Sequence, residues 1–156
     1  MLHYLTSGRA RRFAIGIVGA GALALLTGSA VAGIVSSLGV VKRTVAGKSM
    51  TIVVDRRGDT IYELSGESLA HLQCVTRQCL KLWPPVEVRS AGVRPPKAAG
   101  VPGTLSILRR VKGNLYQVML DRHPLYFYSG DGNNVGSTKG QGIRSFGGTW
   151  HVVTAG

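Results

Sequence analysis

Acidic residues are scarce in this sequence, which has 7 Asp plus Glu against 19 Lys plus Arg. From residue 33 onward 16 basic side chains face the same 7 acids, because only three arginines precede that point, and the net charge there is +9. A field of this sign attracts anionic partners. The basic residues are scattered and form no recognised nucleic-acid motif, so nucleic acid is not expected. The expected partner is an anionic envelope surface, phospholipid or acidic wall polymer; a merely solvated basic exterior is the alternative.

Recognisable catalytic motifs are also missing. The sequence contains no nucleophile elbow, zinc-protease helix or P-loop. The glycine-rich stretch 136–142 is compatible with a phosphate cradle but lacks Walker spacing, so a flexible surface loop is favoured. The sequence therefore predicts no enzymatic activity, no catalytic residue and no cofactor. His123, His151 and Met119 leave open a copper or haem site, so an envelope redox or metal/haem-binding accessory protein is the alternative function.

Cysteine is limited to Cys74 and Cys79. No cysteine precedes Cys74, which excludes a lipid-bearing N-terminal cysteine on a cleaved chain. An even count in an exported protein favours a disulfide. Because five residues of helix rise about 7.5 Å, beyond the reach of about 7 Å for bridged Cα atoms, the bridge requires a break between Gln73 and Leu80. Free thiols, or a metal site shared with His71, are the alternatives.

Charge is missing altogether from residues 13–41, a run that follows Arg9, Arg11 and Arg12. An A-x-A-like cleavage site lies at residues 30–32. Residues 1–32 are therefore expected to be a signal peptide, or else part of a retained membrane anchor formed by residues 13–41. Both interpretations place the remainder of the chain outside the cytoplasm, secreted or extracytoplasmic.

We call residues 1–32 the leader and expect it to form a hydrophobic helix. Beyond the leader, the pattern predicts a short linker over residues 33–47 and a β-rich domain over 48–156. The predicted strands are 49–54, 60–64, 104–109, 115–120, 124–128 and 149–154. One helix is predicted over 67–83, and proline- and glycine-rich loops over 89–103 and 129–148. The expected fold is mainly β, a small single domain with one short helix.

A tyrosine motif recurs along this domain. Tyr126, Tyr128 and Asp131 satisfy the pattern Tyr-x-(Phe/Trp/Tyr)-x-x-Asp, and Trp150 follows. We call residues 126–131 the second Tyr motif.

An imperfect copy of the pattern lies in the first half of the domain. It comprises Tyr62, Leu64 and Glu67, with Trp83 downstream ahead of two prolines. Leu64 stands where the pattern has an aromatic residue and Glu67 where it has Asp. We call residues 62–67 the first Tyr motif.

Together these features resemble the bacterial secreted-repeat family of unknown function, predicted lipoproteins that carry the Tyr motif in duplicate. The resemblance spans about residues 51–153. It implies a domain of two degenerate β-rich repeats and brings no activity with it. The function expected is therefore a non-catalytic interaction or structural module of the cell envelope or secreted fraction.

The motif also has a physical interpretation. Residues two apart in a strand share a face, so each motif is expected to bury two large side chains and end in a turn closed by its acid. The similar spacing from Tyr62 to Trp83 and from Tyr126 to Trp150 predicts that each tyrosine packs on the tryptophan that follows it. An exposed aromatic binding platform is the alternative.

Overall fold

The computed structural model of the chain describes residues 35, 37–110 and 114–155. The leader, whether signal peptide or anchor, lies outside the described residues. Within the described ranges no helix is long and apolar enough to cross a membrane.

The described chain is a small, mainly β domain with one short helix, as the sequence predicts. The strands are β1 (Leu38–Val45), β2 (Lys48–Asp55), β3 (Tyr62–Leu64), β4 (Glu87–Val88), β5 (Leu105–Arg110), β6 (Leu115–Leu120), β7 (His123–Pro124), β8 (Arg144–Ser145) and β9 (Gly148–Val152). The helix is α1 (Arg77–Leu82), and a 3₁₀ turn spans Ser129–Asp131. Three sheets have the orders β1-β2, β3-β9-β8 and β4-β6-β5, and β7 also pairs with β6.

The expected linker over 33–47 is wrong for most of its length, because β1 occupies it. β1 pairs with β2 along all eight of its residues, from Leu38 opposite Asp55 to Val45 opposite Lys48. Both end residues, Leu38 and Val45, are buried. The strand is stabilised by pairing with its immediate neighbour β2 and by burial of its two end residues.

The predicted helix over 67–83 is shortened to α1. Glu67 Oε1 accepts hydrogen bonds from the backbone N–H groups of Gln73 (2.9 Å) and Cys74 (2.9 Å), which fold the preceding segment into turns. The helix begins only after Thr76, whose hydroxyl accepts from the Cys79 N–H (3.1 Å). The apolar spacing in this segment therefore reflects burial of a turn-rich loop and not one long helix.

The predicted disulfide is confirmed. Cys74 and Cys79 are bridged with Cα atoms 5.5 Å apart, and both are buried. Cys74 precedes α1 while Cys79 lies inside it, so the break that the bridge requires is present. Free thiols and a shared site with His71 are excluded by this bond.

A cyclic set of three backbone hydrogen bonds lies in the core beside β2. Val53 N–H donates to Val153 (2.8 Å), Val153 to Ile61 (2.9 Å), and Ile61 back to Val53 (3.1 Å). All three side chains are buried in one cluster. The segment carrying Val153 is therefore held between two segments that are close together in sequence.

A second set of the same form lies beside β6. Val118 N–H donates to Val86 (2.8 Å), Val86 to Leu125 (2.9 Å), and Leu125 to Val118 (3.0 Å). These residues belong to the same cluster. Val86 lies three residues after Trp83, as Val153 lies three after Trp150. Each set is thus completed by a residue from the opposite half of the chain.

Candidate functional site

The aromatic residues of the two Tyr motifs meet in a second cluster of buried residues, which also contains the disulfide. Tyr62, Trp83, Tyr126 and Trp150 each have 0% of their surface exposed. The indoles of Trp83 and Trp150 stack with ring centres 3.7 Å apart and planes 5° from parallel. Tyr62 meets Trp83 edge-on at 5.6 Å, and Tyr126 meets Trp150 edge-on at 5.1 Å. Both expected tyrosine–tryptophan contacts are present, and these four rings form no exposed platform.

The two tyrosines also pair through their backbones. Tyr62 N–H donates to the Tyr126 carbonyl (2.8 Å), and Tyr126 N–H donates to the Tyr62 carbonyl (2.9 Å). This reciprocal antiparallel bridge lies where the two motifs cross. Each motif tyrosine therefore donates one backbone hydrogen bond to the other tyrosine and accepts one in return.

The acids of the motifs are exchanged between them. Tyr62 donates its hydroxyl to Asp131 Oδ2 (2.7 Å), whereas Tyr126 donates to Glu67 Oε2 (2.9 Å). Both carboxylates are buried, with 8% of Asp131 and 1% of Glu67 exposed. Each acid thus serves the tyrosine of the opposite motif, a pairing that the spacing within one motif does not reveal.

Asp131 organises the loop that follows it more widely than a single turn. Its Oδ1 accepts from the Ser137 hydroxyl (2.7 Å) and the Lys139 N–H (2.9 Å). The adjacent Gly140 N–H donates to the Tyr62 hydroxyl (3.3 Å). The role expected of Asp131, to close the turn after its strand, therefore extends over the loop up to Lys139. Donors of the stretch 136–142 serve an internal carboxylate and a phenol, which removes them from a phosphate cradle.

Gly140 is required at this point by close packing. A Cβ atom there would lie 2.7 Å from the ring of Tyr62 and 3.0 Å from that of Trp83. The loop backbone consequently covers the aromatic cluster directly.

The residue two positions after each tyrosine also packs across the junction. Tyr128 is half-buried, and its ring centre lies 4.4 Å from that of Trp83. Leu64 lies opposite Trp150 in the pairing of β3 with β9. The Leu64 departure from the aromatic pattern therefore preserves a buried apolar contact.

Arg110 is a buried cation that sequence reasoning missed. It is 6% exposed and donates to the Tyr126 hydroxyl, to Gln117 Oε1 and to the Cys74 carbonyl (2.7 Å). Gln117, fully buried, donates in turn to the Leu125 carbonyl (2.7 Å). The amide of Gln117 inside an otherwise apolar strand was the one sequence signal for this network; Arg110 itself gave none.

Both motif tyrosines are held in their protonated form. Burial raises the pKa of Tyr62 above its ordinary value, and the hydrogen bond to Asp131 and that residue's charge raise it further. Burial also raises the pKa of Tyr126; the Arg110 charge opposes this increase, and Glu67 adds to it. The phenols therefore act as permanent hydrogen-bond donors to the two carboxylates.

The residues considered for a metal site make other contacts. His123 Nδ1 lies 2.8 Å from the Glu67 carbonyl, and His151 Nδ1 lies 3.3 Å from Gln141 Nε2. Met119 is buried. Across the described residues, no group of three or more His, Cys, Asp or Glu side chains has an arrangement that would hold a metal ion.

Comparison with known proteins assigns no family to this arrangement. No protein-family model matches the chain, and no curated protein or solved structure matches it.

Proposed function

We propose that this chain is an exported, non-catalytic interaction module whose two Tyr motifs join two related β-rich halves. The observation that carries the proposal is that Tyr62, Tyr126, Glu67 and Asp131 are buried and hydrogen-bonded to one another across the motifs. Polar groups arranged in this way stabilise a core, which supports a structural role for these four side chains.

The relation between the halves is supported by their matching order of elements. Each half has a hairpin, β1-β2 or β5-β6, then a Tyr motif, a loop held by the motif's acid, a tryptophan and a buried valine. Those valines are Val86 and Val153, which complete the opposite half's set of three hydrogen bonds. This arrangement agrees with the resemblance of the motifs to the secreted-repeat family. A duplicated unit whose ends are exchanged accounts for it.

The proposed partner is an anionic envelope surface, reached through the basic exterior. Three of the seven acids, Asp55, Glu67 and Asp131, are buried. Arg57 forms ion pairs with Asp55 and Asp59, so two of the acids are neutralised locally. The 16 basic side chains beyond residue 32 outnumber the 7 acids, and this excess favours attraction to phospholipid headgroups or acidic polymers.

Vesicle binding tests this proposal. Residues 33–156 are expected to bind phosphatidylglycerol vesicles at low salt, not phosphatidylcholine vesicles, and to be released as the screening length falls to about 8 Å near physiological salt. Replacing the exposed Lys42, Lys48 and Lys81 by Gln should weaken binding, whereas replacing the same three by Arg should preserve it. Absence of binding at low salt, or binding that ignores salt, would overturn the proposed partner.

A further inference from the structure

The outer edge of β5 carries unpaired backbone groups. Asp121 N–H donates to the Thr104 carbonyl (3.0 Å), and this bond fixes which residues of β5 face β6. By the alternation of an antiparallel ladder, the N–H and C=O groups of Leu105, Ile107 and Arg109 point away from β6. None of these groups has a hydrogen-bond partner among residues 35, 37–110 and 114–155.

The corresponding edge of β1 is covered where its ladder begins. Leu38 occupies the place in β1 that Leu105 occupies in β5, opposite the last residue of the second hairpin strand. Leu38 N–H donates to the Pro96 carbonyl (2.9 Å), and Ala98 N–H donates to the Leu38 carbonyl (2.9 Å). A short extended segment thus lies parallel to β1 there. At this point the outer edge of β1 is therefore covered by another segment of the same chain, which pairs with it through backbone hydrogen bonds.

The open edge belongs to a strand that is packed on both faces. Leu105 lies on one face of β5 and Leu108 and Arg110 on the other, and all three are buried. Ile107 is half-buried against the core cluster that contains Val53 and Val118. An apolar strand edge without a partner is a template for pairing with another strand, and natural proteins usually protect it. Arg109 is the single exposed charge along it.

Charge favours an acidic occupant over a second copy of this chain. The net charge of +9 beyond residue 32 repels another copy and attracts an acidic segment. Arg109 lies at the end of the edge, where an acidic side chain of an added strand would meet it. Addition of a strand supplies affinity through main-chain hydrogen bonds, and side chains supply the selection.

We propose that the outer edge of β5 is a docking site for an extended acidic segment of a partner protein, which adds as a strand beside Leu105, Ile107 and Arg109. This site is separate from the diffuse basic exterior and does not depend on vesicle binding.

A peptide titration followed by NMR tests the site. The probe is a short capped peptide of alternating valine and glutamate, added to residues 33–156. The amides of Leu105, Ile107 and Arg109 should shift and become protected from hydrogen exchange. The same peptide with every backbone amide methylated should not bind, and a valine–lysine peptide should bind at least about tenfold more weakly.

Two matched variants locate the binding. Arg109→Pro removes one outward N–H from β5, whereas Lys42→Pro removes the equivalent group from β1. Only Arg109→Pro should abolish the shifts; Arg109→Glu, which keeps the N–H, should weaken binding about tenfold or more. Both proline variants lose one positive charge, so they should bind vesicles equally.

Shifts located elsewhere, equal binding of the methylated peptide, or loss of binding in Lys42→Pro would overturn the proposal. Self-association of the free protein through β5 would assign the edge to a second copy instead, and would overturn it too.

Discussion

The Tyr126 hydroxyl joins two buried charged side chains of opposite sign, Arg110 and Glu67. It accepts from Arg110 and donates to Glu67, so its removal leaves both groups short of a partner. We expect Tyr126→Phe to lower the free energy of unfolding by about 1–3 kcal/mol. Tyr128→Phe is the matched control, because the Tyr128 hydroxyl makes no hydrogen bond within the described chain, and it should change stability by less than about 0.5 kcal/mol. Urea unfolding followed by circular dichroism measures both; equal effects would contradict the role given to Tyr126.

The same phenols predict how stability changes with alkaline pH. The raised pKa values of Tyr62 and Tyr126 keep these side chains protonated in the folded state, while the unfolded chain ionises near its ordinary value of about 10. The unfolded state then binds fewer protons, so stability is complete below about pH 10 and falls above it, by about 1.4 kcal/mol per pH unit for each tyrosine.

Tyrosinate absorbance and unfolding free energy, followed together, check this expectation. Tyr62→Phe should remove part of the alkaline loss of stability. Ionisation of both phenols in the folded protein near pH 10, with no loss of stability, would contradict it.

Three two-residue hairpin turns in the described part of the chain have a backbone strain that is local to these elements. Both central residues of each turn have positive φ, as type I′ turns require, and the three pairs are Ala46–Gly47, Asp121–Arg122 and Phe146–Gly147. Ala46, at φ 47°, is a poor residue for this region, whereas Asn is preferred there. We expect Ala46→Asn to raise stability by about 0.5 kcal/mol, the lower end of gains at backbone-compatible sites. Ala91→Asn, at an exposed position without positive φ, is the control and should be neutral; thermal unfolding that shows no difference would contradict the turn assignment.

The disulfide acts on its own loop and on the Tyr126 network. The bridge holds Cys74, whose N–H and C=O bind Glu67 and Arg110. Closing a loop this small stabilises by about 2 kcal/mol in the chain-entropy model. Cys74→Ser with Cys79→Ser should lose at least that amount. Natively exported protein should yield two alkylatable thiols in mass spectrometry only after reduction and unfolding, because both sulfurs are buried; thiols that react without reductant would contradict the expectation.

For the whole molecule, the arginine cluster and the uncharged run predict that the domain is delivered outside the cytoplasm. A reporter enzyme that is active only outside the cytoplasm, fused after Gly156, should be active. An inactive fusion, together with an active cytoplasmic reporter at the same place, would reject the export prediction.

The sequence predicts most strands of the domain because local patterns determine them. β6 matches its predicted bounds, and β2 and β5 differ by one or two residues. β1 was missed, since its stability comes from β2 and from Leu38 and Val45 in the core. The helix was overextended, since Glu67 bonds the backbone of residues that periodicity assigns to it.

The sequence predicted which residues of the two motifs form the candidate site, but not which of them bind one another. Motif spacing identified its tyrosines, acids and tryptophans, and it predicted the Tyr62–Trp83 and Tyr126–Trp150 contacts. It could not show that Glu67 serves Tyr126 and that Asp131 serves Tyr62, because this exchange depends on how two distant segments cross. The sequence did not predict the role of Arg110 for the same reason, because its partners come from three separate parts of the chain.

A set of double-mutant cycles tests the central claim, that the motifs join two halves by exchanging their acids. Tyrosines are changed to Phe and acids to Ala, and unfolding free energies are measured for every pair. The cross-motif pairs, Tyr62 with Asp131 and Tyr126 with Glu67, should show coupling of about 1–3 kcal/mol. The pairs within a motif, Tyr62 with Glu67 and Tyr126 with Asp131, should couple by less than about 0.5 kcal/mol. Coupling that is stronger within each motif than across the two would contradict the account.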